Sequence, residues 1–160
     1  MTGDDDTQPD EGKDEDRLAL GQQLCFAVYS AAHALTRAYK PLLERFGLTY
    51  PQYLVLLALW QADGMTVKAI GAQLGLDSGT LSPLLKRLEA AGFVSRVRDR
   101  QDERQVIVRL TEKGKALKTE AFGILAQIGK ATGCSLDEAV ELRTQLHELA
   151  RNLDMRDDGQ

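Results

Sequence analysis

The chain has 160 residues, 43% of them apolar and 28% charged, with a formal net charge of −4. That apolar content supports one folded domain, with room for an oligomerisation element. No run approaches the ~18 unbroken apolar residues of a membrane span, and the acidic N-terminus carries no apolar signal core, so a cytoplasmic protein without membrane association is expected.

Asp4, Asp5, Asp6, Asp10, Glu11, Asp14, Glu15 and Asp16 crowd the start of the chain against only Lys13 and Arg17. Residues 1–16 have almost nothing to bury and are expected to form a disordered acidic tail. The remainder is mildly basic, with Lys86, Arg87, Arg96, Arg98, Arg100, Arg104, Arg109, Lys113 and Lys115 in one region. Local distribution, not net charge, sets the field that a phosphate backbone meets.

From Leu18 to Phe46 the pattern is helical, with Gly21, Cys25, Val28, Ala32, Leu35 and Tyr39 alternating at spacings of four and three. Pro41 predicts a break, and Gly47 closes the segment. Thr49, Tyr50, Pro51 and Gln52 form a capping box with proline in the first turn. The Tyr53 to Trp60 run that follows is apolar nearly all round, so this helix is expected at the centre. Thr66 caps a short helix from Val67 to Leu74, ended by Gly75. Asp77, Ser78 or Thr80 starts the next, which stops at Gly92.

On that helix Leu81, Leu84, Leu85 and Leu88 form the inward stripe, while Gly79, Ser82, Pro83, Lys86 and Arg87 lie opposite. Pro83 lacks an N–H, which places the start of the regular helix near Thr80. Phe93 to Arg98 and Arg104 to Leu110 read as strands around the charged turn 99–103. Thr111 caps a long helix towards Lys130, ended by Gly133. Ser135 with Glu138 forms a second capping box for a last helix through Leu153, leaving 154–160 as a frayed tail.

Two short helices joined by Gly75-Leu76, the second with a polar outer face, have the form of a helix-turn-helix. The second helix would lie in the major groove. Ser78, Gly79, Thr80, Ser82 and Pro83 allow close approach there, and Lys86 and Arg87 suit phosphates or guanine edges. The hairpin behind it would be a wing placing Arg98, Arg100 and Arg104 near the minor groove or backbone. A solvated charged hairpin beside an ordinary helix pair is the blander reading, but a helix pair followed directly by a basic hairpin is a specific combination.

The stretch from Thr66 to Gly114, ending Asp102-Glu103-Arg104-Gln105-Val106-Ile107-Val108-Arg109-Leu110-Thr111-Glu112-Lys113-Gly114, resembles the MarR family of bacterial transcription regulators. The resemblance implies a mainly α fold with a small β-hairpin (α+β): one winged helix-turn-helix domain over 17–153. Helices at about 18–46 and 112–153 would interlock in a homodimer, with a DNA-binding lobe at about 49–111. It further implies that Asp102 braces the wing and Arg104 enters the minor groove. A dimer would read a pseudo-palindromic double-stranded operator with half-sites about one DNA turn apart.

Three further stretches resemble one branch of that family, the organic hydroperoxide resistance regulators of two-cysteine type. They are Leu24-Cys25-Phe26-Ala27-Val28-Tyr29, Tyr39-Lys40-Pro41-Leu42-Leu43 and Leu48-Thr49-Tyr50-Pro51-Gln52-Tyr53, and the run from Asp77 to Glu89 matches as well. The resemblance makes Cys25 the peroxidatic sensor, Tyr39 and Tyr50 the hydroxyls that stabilise its thiolate, and Cys134 of the other subunit the resolving thiol. Tyr39 lies 14 residues from Cys25, roughly 21 Å along a continuous helix, so it could reach only a partner's cysteine. Tyr29, four residues on, is an intrachain neighbour of Cys25 and a third residue expected to stabilise the thiolate. Leu24, Phe26 and Val28 would favour an organic hydroperoxide over hydrogen peroxide.

A cysteine on an apolar helix face ordinarily serves packing, and buried tyrosines ordinarily serve a core, so the redox assignment rests on the resemblance. Two alternatives stay open: a repressor released by a small phenolic or carboxylate ligand, and a dithiol peroxidase using Cys25 and Cys134. No cofactor motif or catalytic cluster favours an enzyme. Cys25, Cys134, His33 and His147 have no zinc spacing, so neither metal nor cofactor is expected.

Overall fold

The computed structural model describes residues 16–157, with side chains through residue 154. The expectations for the acidic tail before Asp16, and for residues 158–160, lie outside the described residues. A 3-10 turn at Leu20–Gln22 leads into α1 (Leu24–Glu44), α2 (Tyr50–Gln61), β1 (Met65–Thr66), α3 (Val67–Leu74), α4 (Ser78–Ala90), β2 (Val94–Arg98), β3 (Val106–Leu110), α5 (Glu112–Thr132) and α6 (Leu136–Asp157). This is a winged helix-turn-helix fold.

Hydrogen bonds between residues three apart set most of the helix starts. Thr49 and Gln52 close a reciprocal capping box on α2, and Thr66, Asp77 and Thr111 each accept from the backbone N–H three residues on. Each such cap is worth about 1 kcal/mol. Gly75 and Gly133 end α3 and α5 at φ of 64° and 69°, the left-handed region open to glycine.

α2 occupies the centre, packed against α1, α3, α4, α5 and β3. Its Tyr53, Val55, Leu56 and Leu59 are buried together with Leu43, Ile70, Leu81, Leu85, Leu88, Val94, Val108 and Ile124. Complete burial of such a side chain stabilises by roughly 1.5–3 kcal/mol, so this core fixes the platform from which α4 and the hairpin project.

Several sequence expectations are corrected. The first helix begins at Leu24, not Leu18, because Gln23 is extended (φ −85°, ψ 124°) and its side-chain amide donates back to the Arg17 carbonyl at 2.6 Å. Gly21 therefore lies outside the stripe. Pro41 does not break α1, since burial of Leu43 two residues on outweighs a single missing hydrogen bond. Pro83 sits sixth in α4, which starts at Ser78 rather than near Thr80. The residue four back, whose carbonyl the proline ring opposes, is Gly79.

The strands begin at Val94 and Val106, leaving Phe93 and Arg104 outside them, and α6 runs to Asp157 rather than Leu153. The sheet also has a third strand that the sequence reading missed: β1 pairs antiparallel with β3 (Met65 with Val108), on the side away from β2. Two residues are too few to show a period.

Outside this core a broad apolar face is open. Leu24, Tyr29 and Leu35 on α1, Phe122 and Leu125 on α5, and Leu136, Val140, Leu142 and Leu146 on α6 are all exposed, Leu136 by 86% and Phe122 by 67%. Among the described residues no helix is long and apolar enough to cross a membrane.

Candidate DNA-binding and redox site

The turn between α3 and α4 is unusually close. A Cβ at Gly71 would lie 2.7 Å from the Leu76 carbonyl oxygen, inside any real contact, and the Leu76 N–H donates to the Gly71 carbonyl at 2.9 Å. Glycine is required there for α4 to approach α3. Asp77 then opens α4, its carboxylate accepting from the Thr80 N–H at 2.8 Å and the Thr80 hydroxyl at 3.1 Å. Those bonds hold the Asp77 carboxyl below its ordinary value, because they stabilise the charged form.

With Leu81, Leu85 and Leu88 turned into the core, the outer face of α4 presents Ser78, Gly79, Thr80, Ser82, Pro83, Lys86 and Arg87, all exposed. The structure thus collects on one surface the seven residues that the sequence assigned to groove contact.

The tip of the hairpin is a hydrogen-bonded turn rather than strand. Asp99 N–H donates to the Gln105 carbonyl, and Gln105 N–H to the Asp102 carbonyl, each at 2.9 Å. The Asp102 carboxylate accepts from the Arg104 N–H at 3.1 Å and the Gln105 amide at 3.2 Å. Arg104 is 96% exposed; its Nε lies 3.6 Å from Asp102, an exposed pair worth little. Arg98 and Arg100 are exposed beside it. Between this tip and α3–α4 lies a cleft of about 920 Å³, walled by Lys68, Ser78, Gly79, Ser82, Arg104 and Gln105.

Arg96 has a different place from the one its sequence neighbourhood implied. Its guanidinium donates to the Glu89 carboxylate at 2.8 and 3.0 Å, and its N–H adds a third bond at 3.0 Å. The pair clips β2 to α4 and fixes the hairpin against that helix. These bonds hold Glu89 below the ordinary glutamate range. A carboxyl with a depressed folded value stabilises above its unfolded value, and that contribution is lost as pH falls through the folded value. Glu89→Gln should therefore melt below wild type at neutral pH, with the gap narrowing as pH is lowered past the glutamate range. A gap independent of pH would show that the clip is not ionic.

Cys25 lies in the first turn of α1 and is exposed; Cys134 is half-buried between α5 and α6. The Cys134 thiol donates to the Thr132 carbonyl at 3.7 Å. It borders an apolar cavity of about 690 Å³ between α1, α5 and α6, with Leu35, Ile128, Leu142 and His147 among its walls. α1 is continuous from Cys25 to Tyr39, about 21 Å along the axis, so the chain keeps its own cysteine away from that tyrosine. Tyr39 instead stacks on Tyr50 at 4.5 Å between ring centroids and lies 5.7 Å from Tyr53.

Burial first, then the neighbouring Tyr50 and Tyr53, push Tyr39 up to about 12; burial also raises Tyr50. Both hydroxyls stay protonated, and so able to donate, throughout the physiological range. Tyr29 is exposed, its ring against His33 at 4.3 Å and Phe26 at 6.4 Å. Among the described residues there is no cluster of three or more histidine, cysteine or acidic side chains fit for a metal ion.

Comparison with known proteins gives a consistent picture. The family model for the transcriptional regulator SarA/Rot matches residues 37–121. The chain is 54% identical to the HTH-type transcriptional regulator TtmR of Methylorubrum extorquens, over 89% of this chain and 73% of the relative. It is 44% identical to the organic hydroperoxide resistance transcriptional regulator of Bacillus subtilis, over 86% of this chain and 94% of the relative. Reduced AbfR bound to DNA superposes with a TM-score of 0.74 at 36% identity, covering 89% of this chain and 97% of that one. AbfR, from Staphylococcus epidermidis, also has an overoxidised form bound to DNA, with a TM-score of 0.71, and a disulfide form, with 0.61.

Proposed function

The chain belongs to the SarA/Rot/MarR-type family of DNA-binding transcriptional regulators, and from that premise we propose that it is a homodimeric cytoplasmic repressor that releases operator DNA when an organic hydroperoxide oxidises Cys25. The observation that carries this reading is the Tyr39–Tyr50 pair. Two protonated phenols sit together about 21 Å from their own chain's Cys25. A second chain, its α1 antiparallel to the first, would lay its Cys25 against them and cover the apolar face of α1, α5 and α6.

Phenolic donors stabilise a thiolate by charge-assisted hydrogen bonds. The Cys25 thiolate attacks one peroxide oxygen, forming S–O as O–O breaks; the alkoxide leaves and takes a proton as the alcohol. The sulfenic acid then meets the Cys134 thiol of the other subunit, S–S forming as hydroxide leaves and is protonated to water. Closure needs the two Cα atoms within about 7 Å, and the dimer helices move to allow it. Ser78, Gly79, Thr80, Ser82, Pro83, Lys86 and Arg87 would meet the major groove, with Arg98, Arg100 and Arg104, held by Asp102, over the minor groove. The AbfR series supports a link between disulfide and shape, since its disulfide form fits this chain less well than its DNA-bound reduced form.

The test is binding to the chain's own upstream DNA at fixed salt, before and after stoichiometric cumene hydroperoxide. Wild type should lose at least about tenfold in affinity, the low end of ordinary coupling between sites, and Cys25→Ser should lose none. Cys134→Ser should be oxidised yet stay on DNA, as overoxidised AbfR does. Unchanged wild-type binding would discard the redox reading and leave a ligand-released regulator as the better account. Repeated turnover of hydroperoxide with a thiol reductant, uncoupled from DNA, would favour a peroxidase.

A further inference from the structure

The far end of α2 is clasped to the junction between the wing and α5. The Trp60 indole N–H donates to the Gly114 carbonyl at 2.9 Å, and Lys118 Nζ donates back to the Trp60 carbonyl at 3.3 Å. Just past the helix, Asp63 Oδ1 accepts the Leu110 N–H, the last of β3, at 2.8 Å, and the Gly64 N–H at the same distance. These bonds tie residues 60–63 to residues 110–118.

The near end of α2 carries Tyr50 and Tyr53, both against Tyr39. Tyr53 continues the chain of rings, meeting Trp60 edge-on at 5.9 Å. A single helix of 12 residues, about 18 Å long, therefore has the tyrosine pair at one end and the wing root at the other. The receiving joint has no slack: Gly114 abuts the Phe93 carbonyl so closely that a Cβ would overlap it, and the Thr111 hydroxyl donates to the Gly92 carbonyl at 2.6 Å. Phe93 immediately precedes β2. A packed core has low compressibility and transmits strain, so α2 offers a displacement of Tyr50 a path to its far end.

We propose that α2 is the bar that carries the state of the redox site to the wing, and that the Trp60–Gly114 hydrogen bond is its coupling. Trp60 is then a positioning residue: it touches neither hydroperoxide nor DNA, and acts by making the wing root follow the tyrosines. This rests on the redox reading above and adds to it the route by which the wing is moved.

Trp60→Phe keeps the ring and removes the N–H. Three quantities are read for wild type and variant: rate of thiol loss with cumene hydroperoxide, affinity of reduced protein for DNA, and ratio of reduced to oxidised affinity. The first two should stay within about twofold of wild type, while the ratio falls about fivefold or more towards one, within the span that residues between two sites command. Asp63→Asn, which weakens the same clasp three residues further on, should lower the ratio in the same direction.

Trp60 is the sole tryptophan of the chain, so its emission reports the joint directly. It should shift on oxidation of wild type and not of Cys25→Ser. A wild type that does not respond to hydroperoxide fails the redox reading itself. A responsive wild type with an unchanged ratio in both variants, or with unmoved tryptophan emission, overturns the coupling alone.

Discussion

Gly114→Ala should lower the melting temperature by roughly 6–12 °C, the largest stability effect expected of any single methyl group in this chain. A Cβ at residue 114 would fall on the Phe93 carbonyl oxygen and 3.1 Å from the Leu110 side chain. The first of these is backbone, pinned by the Thr111 N–H at 3.1 Å, so it cannot step aside as a side chain would. Overpacking in a core costs about 1–3 kcal/mol; a backbone clash at a joint held by Thr111 and Trp60 belongs at the top of that range. In a protein of this size each kcal/mol moves the midpoint by about 2–4 °C.

Two other glycines of the same helix supply the control. Gly123 and Gly129 have nothing within 4 Å of an added Cβ, so alanine there should be neutral or stabilising by up to ~1 kcal/mol through helix propensity. Equal melting temperatures for Gly114→Ala and wild type would mean that the wing root has more freedom than this packing allows.

Arg104→Ala should weaken operator binding about a hundredfold while leaving the melting temperature unchanged. The side chain is 96% exposed and its one ion pair among the described residues is a loose one within its own turn, so folding gains almost nothing from it. Its backbone N–H bond to Asp102 survives the substitution. A dimer loses the contact twice; at about 1.4 kcal/mol per contact, within the range for a groove-reading arginine, two losses give two powers of ten. Titration at several salt concentrations separates the roles: a phosphate contact lowers the salt slope by about one per arginine, whereas a base-edge contact relaxes sequence preference. An affinity within twofold of wild type would remove Arg104 from the interface.

The parts of the fold legible in the sequence are those written over three or four residues. Thr49 with Gln52, and Ser135 with Glu138, are hydrogen-bonded pairs in the structure because residue types and spacing alone define a capping box. The outer face of α4 was legible for the same reason, since Leu81, Leu85 and Leu88 at helical spacing fix which side of α4 faces outward. Trp60 with Gly114, and Asp63 with Leu110, are partners separated by 54 and 47 residues; nothing local in the sequence marks them. Arg96 counts in the sequence as one more cation of a basic region, and nothing local marks it as the partner of Glu89, to which strand register turns it. Pro41 and Pro83 were read by a local rule that tertiary packing overrides: each costs its helix one hydrogen bond, and the buried leucines that follow hold the helix together.

The length of α1 has a consequence for timing. If peroxide chemistry needs Cys25 from one chain and the phenols from another, a newly made chain has a thiol but no sensor, and responsiveness is acquired only on pairing. The same event would supply the second copy of α4 that an operator with two half-sites needs. Competence to hold DNA and competence to let go of it would then arise together, so no population of chains could repress without also being able to hear the signal that ends repression.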